Sequence, residues 1–155
     1  EGVIEKDVVR MMFNFDRNVK FAEWLFGAYR PGFLSMQVFD NWVMDYDKDE
    51  DIVFQAGYGR ELKEHETIGT IILSWNYYYD RVTPQIAYGY DFTNGGAFLI
   101  PSLSFTYGDH WRLMFEYDRF LGLDGKNTGE IEDDHSLLDG LENNDQFYVR
   151  LQYQF

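Results

Sequence analysis

Five charged residues, Arg10, Arg112, Glu116, Asp118 and Arg150, fall at one parity on stretches that alternate oily and polar side chains. In an extended chain residues i and i+2 point the same way, so such positions share a face. Gln37, Asn76 and Gln152 extend the same polar row. Charges placed this way serve one of two ends. They form cross-strand pairs that stiffen a wall, or they line a pore and select solutes. The same parity also holds Met12, Phe39, Ile72, Phe98, Ile100, Met114, Phe120 and Tyr148. A water-filled pore would carry fewer of these. They suit packing against a plug, or a passage for amphipathic or hydrophobic cargo.

Other chemistry finds no footing. Asp45, Asp47, Asp49 and Asp51 alternate like a calcium loop, but the EF-hand needs Gly sixth and Glu twelfth, where this chain has Glu50 and Ala56. The stretch reads as a solvated acidic loop. The runs Glu130–Asp134 and Glu142–Asp145 could gather divalent ions near lipopolysaccharide. His65, His110 and His135 lack the clustered spacing of metal ligands. Ser102 and Ser104 share the polar parity, yet no His stands on a neighbouring strand at matching depth, as a hydrolase would need. No enzyme activity, metal or cofactor is expected.

The elements that position these residues are strands. Period two runs through 6–15, 32–44, 66–79, 84–91, 97–107, 110–121 and the final stretch DQFYVRLQYQF, 145–155. Asp40 interrupts the oily row of the second. Ile52–Tyr58 offers an eighth strand, and only Val19–Phe26 a short amphipathic helix. About ten residues is what a tilted strand needs to cross a bilayer. The connections alternate in kind. Asp80–Thr83 and Gly108-Asp109 are short, Asp91–Gly96 is medium, and 45–65 and 122–144 are long and polar. Short turns at one end and long loops at the other are the habit of outer-membrane barrels.

The chain has 155 residues, 13 Lys+Arg against 27 Asp+Glu, a net charge of -14 and no Cys. The acidic balance argues against nucleic acid and against simple docking on anionic lipid. Disulfides and thiolate metal sites are excluded, no transmembrane helix is present, and no secretory signal is visible. Aromatics reach 19% and sort by depth along the oily face. Phe13, Phe15, Tyr77, Tyr79, Tyr107, Trp111, Tyr153 and Phe155 gather toward the short-turn end, and Trp42, Tyr88, Tyr90, Tyr117 and Phe147 toward the other. Two girdles around an aliphatic band suit the two membrane interfaces; a soluble sandwich core has no reason to sort by depth. The expectation is an all-β, antiparallel up-and-down transmembrane β-barrel in the bacterial outer membrane, with residues 1–155 as a single region and no second domain. Trp42, Trp75, Tyr77, Tyr107, Trp111, Tyr153 and Phe155 are the expected interface aromatics. Outer-membrane lipid and lipopolysaccharide are the expected surroundings.

Several stretches together resemble a known family. They are Phe15-Asp16-Arg17, Phe33–Phe39, Thr83-Pro84-Gln85, Gly95–Ser102, Asp109–Leu113 and Phe120-Leu121-Gly122, in that order. The chain is similar to the C-terminal part of a large proteobacterial outer-membrane family of unknown function, whose members are several times longer. The resemblance implies a partial barrel of about seven to eight strands, association with envelope lipid or hydrophobic-compound export, and periplasmic transport partners. It supplies no functional residue. The last strand also resembles the signal read by the barrel assembly machinery. Three functions stay open: a conduit for hydrophobic or amphipathic molecules, a general diffusion porin for polar solutes, and a structural or adhesive barrel acting through acidic loops.

Overall fold

A computed structural model describes residues 5–48, 62–122, 138, 141 and 143–155. The chain forms β1 (Val8–Val19), α1 (Phe21–Phe26), β2 (Gly32–Val43), β3 (His65–Ser74), β4 (Val82–Asp91), β5 (Ala97–Tyr107), β6 (Trp111–Leu121) and β7 (Gln146–Tyr153). The strands make one sheet in the order β1-β2-β3-β4-β5-β6-β7, antiparallel throughout. Each strand pairs with its sequence neighbour, so the topology is up-and-down and the sheet is open. The expected eighth strand, Ile52–Tyr58, lies outside the described residues.

The register sorts the side chains as the alternation predicts. Phe15, Met36, Ile71, Tyr88 and Leu99 form one cross-strand row on the oily face. Leu103, Phe115 and Val149 form another. On the opposite face Gln85, Ser102, Glu116 and Tyr148 lie in one row, and Thr83, Ser104, Met114 and Arg150 in the next.

Two element boundaries differ from expectation. β1 runs on through Asp16-Arg17-Asn18, which pair with Ser35, Leu34 and Phe33. β3 stops at Ser74 because residues 75–81 fold into a turn in which Tyr78, Tyr79 and Asp80 all take positive φ, at 49°, 57° and 65°. Left-handed backbone costs a non-glycine residue on the order of 1–2 kcal/mol. A clasp offsets part of it: the Tyr29 hydroxyl donates to Asp80 at 2.7 Å and Arg30 pairs with the same carboxylate at 3.0 Å. Partial desolvation, then the Asp80 carboxylate it bonds, raise the Tyr29 phenol above its ordinary pKa. The protonated donor therefore holds through neutral pH and is lost only as alkali removes its proton.

Proline and glycine mark the inner strands. Pro101 has no N–H to give, and the β5–β6 ladder skips from Leu99↔Arg119 to Ser102↔Glu116. Gly89 lies opposite Phe98, whose ring covers it; a Cβ there would stand 2.2 Å from the ring. The ring fills the gap left by the missing side chain. Gly89→Ala should cost about 1–3 kcal/mol by overpacking, read as a lower urea midpoint in detergent micelles. Adding Phe98→Ala should remove most of that increment, because the two changes share one contact.

Among the described residues only the short α1 packs over the sheet, and no second layer covers the rest. Among the described residues only Ala22, Ala28, Val43, Trp75 and Ala97 are buried hydrophobics. The chain exposes 11361 Å², against about 8,200 Å² for a folded monomer of its mass by the usual surface scaling. Leu151, Phe147 and Phe13 are 65%, 64% and 72% exposed. β1 and β7 also end the sheet with one hydrogen-bonding edge each outside any ladder.

Candidate functional site

The polar face gathers chemistry at its short-turn end. There β4, β5, β6 and β7 enclose a recess of about 280 Å³ lined by Thr83, Ser104, Thr106, Arg112, Met114, Arg150 and Gln152, with Phe105 and Leu113 at its margin. Arg112 stands opposite Gln152, and Arg150 opposite Met114, so the two guanidinium stems are diagonal neighbours on adjacent strands. Neither joins Glu116 or Asp118 in an ion pair among the described residues. Those carboxylates face the same side, closer to the long loops. One Asp118 oxygen is buried without a partner.

The other expected lumen residues lie apart from the recess. Arg10 faces Asn41 near the long-loop end of β1. Gln37 donates to the Ser35 hydroxyl at 3.4 Å. Asn76 accepts from the Thr83 hydroxyl at 2.8 Å, tying the β3–β4 turn to the rim. Met12, Phe39 and Ile68 form an apolar row across β1–β3, and Ile72, Ala87 and Ile100 another across β3–β5.

On the oily face the short-turn end carries most of the expected aromatics. Trp111 packs edge-on against Tyr153 at 4.8 Å, Tyr153 against Phe155 at 5.0 Å, and His110 stacks on Tyr153 at 5.4 Å. Tyr107 is exposed. Trp75 differs from its expected surface role: only 7% exposed, it lies under α1, stacked on Phe26 at 4.5 Å and edge-on to Phe21. Ala22, Ala28, Leu73, Tyr77 and Ile86 complete this cluster. The Tyr77 hydroxyl donates to the Phe26 carbonyl at 2.5 Å. Gly32 lets α1 approach, since a Cβ there would meet Ala22 at 2.9 Å. The helix in turn exposes Trp24 and Leu25, and the β3–β4 turn exposes Tyr78 and Tyr79. The sequence marked the helix only weakly and gave no sign that it folds onto the oily face.

At the long-loop end Asp40, the blemish in the oily row, gains partners from β3. Thr67, directly opposite, donates to it at 2.6 Å, and His65 Nδ1 lies 2.9 Å away, with the Trp42 ring stacked on the imidazole at 5.9 Å. Among the described residues no free hydroxyl stands against this acid–His pair. The Thr67 hydroxyl is committed to Asp40, and the Thr93 hydroxyl donates to the His65 carbonyl. It ties β2 to β3. Nearby, the Asp91 carboxylate accepts from the Thr93 and Asn94 backbone N–H groups and from the Asn94 amide, closing the β4–β5 hairpin.

No protein-family model, curated protein or solved structure matches the chain. The two faces of the sheet therefore carry the functional argument. Among the described residues no cluster of His, Cys, Asp or Glu could hold a metal ion, and no helix is long and apolar enough to cross a membrane.

Proposed function

We propose that this chain forms part of the wall of an outer-membrane β-barrel that conducts hydrophobic or amphipathic, lipid-like molecules. The carrying observation is the oily face, which among the described residues is a single-layer sheet with Leu151, Val149, Phe147 and Phe13 exposed and few buried hydrophobics. Fully burying a Leu or Phe side chain is worth about 1.5–3 kcal/mol, and hydrocarbon is the medium that would accept a whole face of them. The edges of β1 and β7 would be closed by further strands, since lipid tolerates no unpaired backbone.

Charge supports the orientation. Segment 44–64 carries seven acidic and three basic residues and segment 122–145 eight and one, whereas 16–31, 75–81 and 108–110 carry four of each between them. The acidic end then faces the divalent cations and lipopolysaccharide outside, and the near-neutral end, rich in exposed aromatics, sits at the periplasmic interface. Assembly would go through the barrel assembly machinery, and delivery through periplasmic transport partners. The apolar rows on the polar face favour an amphipathic cargo over a general diffusion porin.

Recordings of the whole protein reconstituted in planar bilayers test the reading. The expected result is membrane insertion without large steady conductance steps. Large steps would favour the diffusion porin, and recovery of the protein wholly in the soluble fraction after alkaline extraction would overturn the barrel.

A further inference from the structure

We infer that the recess between β4 and β7 is a binding site for the anionic headgroup of an amphiphile, with Arg112 and Arg150 as its two ligating cations. This rests on the conduit reading and names the chemistry of its cargo. Arg112 and Arg150 are diagonal neighbours on adjacent strands, within reach of each other's long side chains, and their like charges repel. In this chain neither has an acidic partner among the described residues, although Glu116 and Asp118 are on the same face. The two arginines stand beside the Ser104 and Thr106 hydroxyls and the Gln152 amide, while the Thr83 hydroxyl in the same lining donates to Asn76. Planar guanidinium forks match a phosphate or carboxylate with two parallel hydrogen bonds each, and hydroxyls and an amide supply the remaining donors.

The surroundings decide for an amphiphile over a free anion. Met114 lines the recess in the same cross-strand row as Ser104 and Arg150. Past the intervening Gln85–Ser102–Glu116–Tyr148 row, the apolar Ile72–Ala87–Ile100 row lies on the same face. An acyl chain whose headgroup sits on the arginines would lie along these side chains. Glu116 and Asp118 repel a headgroup that moves further up, so the charge pattern holds the anionic end at the short-turn mouth. The site thereby faces the side from which a periplasmic carrier would deliver.

The test uses the whole protein folded in a zwitterionic detergent. Native mass spectrometry counts bound phosphatidylglycerol, phosphatidylcholine and inorganic phosphate in the wild type, in Arg112→Gln/Arg150→Gln and in Arg10→Gln. The expected result is preferential retention of phosphatidylglycerol, reduced on the order of tenfold per guanidinium removed and unchanged in Arg10→Gln. Equal retention of phosphatidylglycerol and phosphatidylcholine, or no loss in the double variant, overturns the site. Inorganic phosphate bound as well as phosphatidylglycerol overturns the amphiphile assignment. Bilayer insertion of the same variants is read separately. Insertion with unchanged lipid retention sinks the recess and leaves the barrel, whereas lost insertion of the wild type sinks the barrel itself.

Discussion

Leu103→Arg should abolish membrane insertion, while Ser102→Arg, one residue away, should leave it nearly unchanged. Both positions are mid-strand in β5. Leu103 sits on the oily face between Pro84 and Phe115, and Ser102 on the polar face between Gln85 and Glu116. An arginine facing hydrocarbon at the midplane costs about 2–4 kcal/mol, a large share of the 5–15 kcal/mol that typically separates folded from unfolded. An arginine at 102 faces the Glu116 side chain and water. The fraction of heat-resistant, membrane-embedded protein after refolding into lipid vesicles reads the difference. Equal effects at the two positions would mean that the faces are not sorted between lipid and water.

Trp75→Ala should cost about 3–5 kcal/mol, the range for emptying a large aromatic site. Trp75 is the principal contact of α1: Phe26 stacks on it and Phe21 meets it edge-on. Without the indole the helix loses its seat on Leu73 and Ile86. Limited proteolysis should then cut within 20–31, where the wild type resists. Trp75→Phe should recover much of the loss, because the indole Nε1 makes no hydrogen bond and only the ring is needed. If Trp75→Ala leaves α1 protected, the helix is held by something other than this stack.

Much of the architecture was legible in the sequence, because period two survives wherever one face meets a uniform medium. β5, with Leu99, Leu103 and Phe105 against Ser102 and Ser104, is the clearest case. The end of β1 was hidden because Arg17 occupies an oily position and breaks the pattern, while the pairing to Leu34 that makes it a strand is non-local. Asp40 read as a defect for the same reason. Its partners His65 and Thr67 stand more than twenty residues away and meet it only through the β2–β3 register. Trp75 kept the right parity but not its expected role, since nothing in a local pattern says that α1 folds back over it. Arg112 and Arg150 were recognised as polar-face charges. Their convergence with Ser104 and Thr106 depends on the offset between β5, β6 and β7, which alternation alone does not fix.

The central claim, that the oily face meets lipid and the polar face water, is tested most directly on β7. The chain has no cysteine, so single cysteines at 147 through 153 can carry a spin label without background. In reconstituted membranes the account predicts a period-two record. Labels at 147, 149, 151 and 153 should collide preferentially with lipid-soluble oxygen, and those at 148, 150 and 152 with a water-soluble nickel chelate. Collision with the chelate at all seven positions, or the inverse alternation, would contradict it.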